Sequence, residues 1–167
     1  MKRFHFWIPI QNLKYVKLLI ILDLDHTLIY GSYAETEPAE LLFQHNKYLK
    51  VYKRHLAEDL VKLCQSKADI IVYTTALRRY AKTICNLLNI QPIEILSRKN
   101  CKTVDGKLRK EIKPEWIAIY KRIVIIDDSP NVWITNSVKI DFLVPDEFRG
   151  KANDLELETI INELKRY

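Results

Sequence analysis

Three runs of branched apolar residues each stop abruptly at a polar side chain. "LLIIL" (18–22) runs into Asp23, "DIIVY" (69–73) into Thr74, and "RIVII" (122–126) into Asp127. Strands that are apolar at nearly every position, rather than at every second one, must be covered on both faces. Amphipathic helical patterns separate them. "HLAEDLVKLCQS" aligns Leu56, Leu60, Leu63 and Cys64, and "LRRYAKTICNLLN" aligns Leu77, Tyr80, Ile84 and Leu88. Strand alternating with helix predicts an α/β fold, a doubly wound and mainly parallel sheet flanked by helices. In such a sheet ligands gather beyond the carboxyl ends of the strands. Asp23, Asp25, Thr27, Thr74, Thr75, Asp127, Asp128 and Ser129 should therefore converge.

Other segments complete the plan. "KPEWIAIYK" fits a short helix with Pro114 in its first turn, and "NDLELETIINELKRY" a last helix with Asn153 as N-cap and Glu156 closing a capping box. "LLFQHNKYLKVYK" reads as two short strands around His45-Asn46-Lys47, and "CKTVDGKLRK" as a hairpin turning at Asp105-Gly106. Both are expected as small β-hairpin insertions near the active face. The chain is read as one domain, 1–167, with a small insertion around 31–53. The segment "KRFHFWIPIQ" near the N-terminus is read either as packing on the domain or as a partner-binding strand.

Composition narrows the choices. With 3 glycines there is no glycine-rich phosphate loop. None of Cys64, Cys85 and Cys101 is followed by five residues and an arginine, which excludes a thiol phosphatase, and none forms a C-x-x-C pair. An odd, scattered set of thiols suits a reducing compartment. An intracellular, cytoplasmic protein is expected, or a nuclear one if the source is eukaryotic. No apolar run is long enough for a membrane span, and no cleavable signal is apparent. A net charge of +6 suits a phosphorylated or polyanionic partner.

The carboxylates decide the chemistry. If extended geometry continued past Leu22, Asp23 and Asp25 would share a face and repel unless a cation lay between them. Oxygen ligands without histidine or cysteine select a hard cation, and Mg²⁺ is the natural one. It would screen a phosphoryl group from an attacking carboxylate, while a threonine hydroxyl and a lysine hold the non-bridging oxygens.

"DLDHTL" resembles the D-x-D-x-T signature of haloacid-dehalogenase-like phosphatases. More narrowly, the chain resembles the RNA polymerase II C-terminal-domain phosphatases, also called NLI-interacting-factor-like. "YKRHLAEDL" is similar to their lysine-arginine-proline stretch, with His55 in place of the proline. "IIVYTTALRRYA", "LRKEI" and "IIDDSPNVW" resemble the second, third and fourth motifs. The resemblance implies that Asp23 is the nucleophile, forming an aspartyl-phosphate, and that Asp25 is the general acid and then the base. It implies that Thr74 and Lys110 bind the phosphoryl group. The metal ligands would be Asp23, the backbone carbonyl of Asp25, Asp128, and Asp127 directly or through water. Thr75 and Arg78 join Thr74 and Lys110 as substrate-binding candidates, although Arg78 could equally face solvent. Lys102, Lys107 and Lys113 lie close enough in sequence to compete with Lys110.

The implied activity is a Mg²⁺-dependent phosphomonoester phosphatase acting on phosphoserine or phosphothreonine in a protein or peptide. A phosphatase of nucleic-acid ends or nucleotides is the enzymatic alternative. A non-catalytic phospho-ligand binding module is the alternative of another class. Oligomeric state is not legible in the sequence.

Overall fold

The computed structural model describes residues 18–34, 39–135, 137 and 139–167. The N-terminal segment 1–16 and Trp7 lie outside them. Among the described residues, eleven strands and four α-helices follow in chain order: β1 (Leu18–Leu22), β2 (Ile29–Ser32), β3 (Glu40–Gln44), β4 (Lys50–Lys53), α1 (Ala57–Lys67), β5 (Asp69–Tyr73), α2 (Arg78–Leu87), β6 (Glu94–Leu96), β7 (Lys102–Val104), β8 (Lys107–Glu111), α3 (Pro114–Ile119), β9 (Arg122–Ile126), β10 (Trp133–Ile134), β11 (Ile140–Leu143) and α4 (Glu156–Leu164).

The three apolar runs are strands β1, β5 and β9. They lie together in a parallel five-stranded sheet of order β11-β9-β1-β5-β6. Strand β1 is buried along its whole length, and its alternating side chains feed two cores. Ile20 and Leu22 pack with Leu60, Cys64, Ile84 and Leu157 from helices α1, α2 and α4. Leu19 and Ile21 pack on the other face with Trp116, Tyr120 and Trp133. This is why the run carries no polar position.

The helix faces differ in detail from the pattern read in the sequence. Leu56 precedes α1 with φ 62, and the buried stripe is Ala57, Leu60, Val61 and Cys64. Leu77 precedes α2 and is 61% exposed, because it borders an open cleft rather than the core. Pro114 stands in the first turn of α3, where a missing N–H costs no helical bond. The Asn153 capping box does not form. Helix α4 starts at Glu156, and the adjacent Asp154 accepts from its N–H at 3.2 Å while committed to an arginine.

Two smaller sheets stand at the carboxyl end. Strands β2, β4 and β3 form an antiparallel sheet within the 29–53 stretch, and β7 and β8 form the second hairpin. Its Asp105-Gly106 turn has φ 50 and φ 71, both left-handed, as a two-residue type I′ turn requires. Strand β10 extends this hairpin in parallel, with Trp133 opposite Lys110.

The thiols follow the core. Burial pushes Cys64 up to about 12 and Cys85 up to about 11, whereas Cys101 is only half-buried. A disulfide reagent at mildly alkaline pH should therefore label Cys101 first, and reach Cys64 and Cys85 only in denaturant. Equal labelling rates in the native protein, followed by mass spectrometry of peptides, would contradict this packing.

Candidate active site

Each principal strand ends on a site residue fixed by one further ladder hydrogen bond. The N–H of Asp23 donates to the Ile126 carbonyl at 3.0 Å, that of Thr74 to Leu96 at 3.0 Å, and that of Asp127 to Leu143 at 3.4 Å. The sheet thus presents three polar side chains from a rigid edge, and all three are buried.

Lys110 enters from the side. The Asp105-Gly106 hairpin carries it on β8, and its ammonium donates to Asp23 Oδ1 at 2.6 Å and to Asp127 Oδ2 at 2.7 Å. These are charge-assisted distances. Lys110 is 2% exposed. The competing lysines are placed elsewhere: Lys102 pairs with Glu111 and Lys113 with Glu94, and Lys107 is exposed. The Trp133 indole N–H donates to Asp127 Oδ2 at 2.8 Å, and the Ser129 N–H to Asp127 Oδ1 at 2.8 Å. Both oxygens of Asp127 are therefore occupied by protein donors. Asp128 is held by Thr27, whose hydroxyl donates to Asp128 Oδ1 at 2.7 Å and accepts from the Asp128 N–H at 3.1 Å.

Carboxylate oxygens of Asp23, Asp127 and Asp128 lie within 4.8 Å of one another. Three formal negative charges face one ammonium, leaving a net charge that a divalent cation balances. Oxygen-only donors with that imbalance fit Mg²⁺. Asp25 adds no carboxylate to this cluster. Strand β1 ends at Leu22, before both aspartates, and His26 after them has φ 64. The Asp25 carboxyl instead accepts from the Tyr80 hydroxyl at 3.2 Å and from Thr74 Oγ1 at 3.5 Å.

Beyond Asp25 opens a cleft of about 450 Å³, bordered by His26, His45, Thr75, Leu77, Tyr80 and Arg98. Arg98 is anchored by its Nε to the Thr75 carbonyl at 2.9 Å. Arg78 is not brought into the cluster: its guanidinium donates to the Ile95 carbonyl at 2.5 Å. Tyr80, Trp133 and Arg98 were not singled out by sequence as site members. Their spacing was visible, since Tyr80 and Trp133 each stand six residues after a strand-end residue, but a lone aromatic reads first as core.

The family model for NLI interacting factor-like phosphatases matches residues 18–167. The chain belongs to this phosphatase family. Among curated proteins it is 29% identical over 158 residues to CTD small phosphatase-like protein 2 of Dictyostelium discoideum, covering 87% of this chain and 26% of that one. It is 25% identical over 148 residues to a probable C-terminal domain small phosphatase of the same organism, covering 81% and 47%. The chain thus spans less than half the length of these relatives. A solved structure of the fission yeast RNA polymerase II CTD phosphatase Fcp1 with beryllium fluoride superposes with a TM-score of 0.57 at 19% identity, over 92% of this chain and 51% of that one. That likeness places the central sheet and its helices in the haloacid-dehalogenase-like fold. Among the described residues no helix is long and apolar enough to cross a membrane.

Burial raises both carboxyls of the phosphatase motif, and their partners differ. Burial pushes the Asp23 carboxyl up, and the Lys110 ammonium opposes that shift. Burial works to lower Lys110, but Asp23 and Asp127 outweigh it and hold the ammonium above its ordinary range. The Lys110 ammonium stands within charge-assisted hydrogen-bonding distance of both Asp23 and Asp127. Asp25 is also raised by burial, with Tyr80 opposing, and it has no ammonium within hydrogen-bonding distance among the contacts described.

Proposed function

We propose that this domain hydrolyses phosphomonoesters through an aspartyl-phosphate on Asp23, with Mg²⁺ as cofactor and phosphoserine or phosphothreonine in a protein or peptide as substrate. The observation that carries this reading is the Lys110 ammonium shared by two buried carboxylates, beside a third carboxyl, Asp25, held separately by Tyr80 and Thr74.

Asp23 Oδ2 and the Asp128 carboxyl would hold the cation, with the Asp25 carbonyl as the family resemblance implies. Asp127 is committed to Lys110, Trp133 and Ser129 and acts from behind. When bound, Mg²⁺ supplies positive charge against the phosphoryl oxygens. An Asp23 oxygen attacks phosphorus, and the bond to the leaving oxygen breaks. Asp25 donates its proton to that oxygen, so the product leaves as a neutral alcohol. The resulting Asp25 carboxylate then takes a proton from water as the water oxygen attacks phosphorus. Inorganic phosphate departs and the Asp23 carboxylate returns. Lys110 neutralises the equatorial oxygens in both steps. The Thr74 hydroxyl, which accepts from the Ala76 N–H at 3.1 Å and lies 3.5 Å from Asp25, would donate to a phosphoryl oxygen.

The cleft beside Asp25 is where the leaving group must exit, and it is open. Leu77 is 61% and Tyr33 77% exposed at its rim. An open rim with apolar side chains suits a residue within a longer chain better than a small enclosed metabolite.

The test is hydrolysis of para-nitrophenyl phosphate with Mg²⁺, with excess chelator, and in Asp23→Asn. Turnover is expected with Mg²⁺ alone. The chelated protein and the variant should both fall by at least about a thousandfold, as loss of a nucleophile or its electrostatic partner does. Retained turnover in folded Asp23→Asn would refute the mechanism. Phosphoserine peptides should be preferred over 5′- or 3′-phosphorylated oligonucleotides. The reverse preference would move the substrate to nucleic-acid ends.

A further inference from the structure

Among the described residues, the β2-β4-β3 sheet and the turn after β3 gather around one side chain beside the site, Tyr80. The His45 imidazole meets the Tyr80 ring edge-on, with centroids 5.2 Å apart and an interplanar angle of 88°. Phe43 packs against the same ring at 6.2 Å, and Phe43 and His45 contact each other at 6.0 Å. Strand β2 lies on another side: a Cβ added to Gly31 would lie 3.6 Å from the Tyr80 hydroxyl oxygen. The inserted sheet therefore packs against the ring, which also borders the cleft. Its hydroxyl, 3.2 Å from Asp25 Oδ1, is the nearest donor to the carboxyl that must protonate the leaving oxygen; Thr74 lies at 3.5 Å.

We infer that the inserted hairpin β3–β4 is a positioning element for proton transfer, acting through Tyr80: Phe43 and His45 seat the ring, and the hydroxyl fixes the Asp25 carboxyl toward the cleft. Tyr80 is here a positioning residue, because it touches the acid and not the phosphoryl group. The geometry favours this over simple surface decoration. A decorative hairpin needs no aromatic cluster at the one helix position that reaches the acid. The inference rests on Asp25 being the acid of the proposed phosphatase reaction.

The leaving group separates this role from packing. Para-nitrophenolate departs as a stable anion and needs little protonation, whereas a serine alkoxide needs a proton delivered as the bond breaks. Both substrates should be measured as kcat/KM with Mg²⁺, for wild type, Tyr80→Phe and His45→Ala, because kcat/KM reports the step in which the leaving group departs. Tyr80→Phe keeps the ring and its packing, and His45 is exposed, so both variants should fold, as melting curves would verify. In Tyr80→Phe the loss on a phosphoserine peptide should exceed the loss on para-nitrophenyl phosphate by about tenfold or more, the scale of a misplaced general acid. His45→Ala should move the same ratio in the same direction by about threefold, as a change one contact further out. A ratio unmoved in either variant overturns the inference, since lost packing would lower both substrates alike. Wild-type protein inert toward both substrates would instead overturn the phosphatase reading itself.

Discussion

Lys110→Met should lose essentially all turnover and melt roughly 10 °C lower, the shift that about 3–5 kcal/mol produces in a domain of this size. The side chain sits at 2% exposure between two carboxylates that are themselves buried. Methionine fills the volume and keeps the contact with the Trp133 and Tyr73 rings that the ammonium now faces at 5.3 Å and 6.0 Å. The charge is removed together with the two hydrogen bonds it donates. Asp23 and Asp127 are then left with like charge and no cation, and one must take up a proton or the edge of the sheet must open. The same logic gives a second readout. Millimolar Mg²⁺ should raise the melting temperature of Lys110→Met more than that of wild type, because it restores cancelled charge. Equal Mg²⁺ shifts in the two proteins, by calorimetry, would show that the ammonium and the metal do not balance the same carboxylates.

Arg54→Ala should be nearly as damaging to stability, at a site far less conspicuous in sequence. Arg54 is 0% exposed and divides its donors among three places. It donates to Asp154 Oδ1 at 2.7 Å and Oδ2 at 3.0 Å, to the Asp146 carbonyl at 2.8 Å, and to the Thr27 carbonyl at 3.1 Å. The Phe148 ring stacks below at 5.3 Å. Phe148 itself is tied to the signature loop, its N–H donating to the His26 carbonyl at 2.7 Å. One guanidinium therefore clips the Asp-x-Asp-x-Thr loop to the irregular chain before α4. Alanine strands the Asp154 carboxylate and two carbonyls at once, which predicts a loss of about 3–5 kcal/mol in urea unfolding. Arg54→Lys should recover less than half of it, since an ammonium cannot reproduce the bidentate pair. Urea midpoints of Arg54→Ala within experimental scatter of wild type would disprove this clip.

Much of this architecture was legible because burial on both faces leaves so plain a mark. A strand such as β1, feeding two cores, has no polar position to confuse the reading. The edge strands β6 and β11 were not legible. "EIL" and "IDFL" are only three and four residues long, and periodicity cannot register in so short a stretch. The last helix was misplaced at its start for another reason. Asn153 and Glu156 satisfied a capping rule, but Asp154 next to them had a stronger partner in Arg54, 100 residues away. The site divides in the same way. Residues at strand ends could be gathered from topology alone. The partnership of Asp25 with Tyr80 could not, because it depends on a helix returning 55 residues later.

That dispersal has a consequence for how the protein comes into being. Lys110 lies 87 residues beyond Asp23, and Asp154 lies 100 beyond Arg54. A nascent chain that has emerged only as far as residue 109 already carries Asp23 and Arg54, yet neither Lys110 nor Asp154, the charges that pair with them. Its central strand also lacks the neighbour β9, which is still to be synthesised. Contacts so distant along the chain close late and slowly. The proposed site should therefore become competent in a single event, only after β9 and Asp154 have emerged, with no partly active intermediate before it.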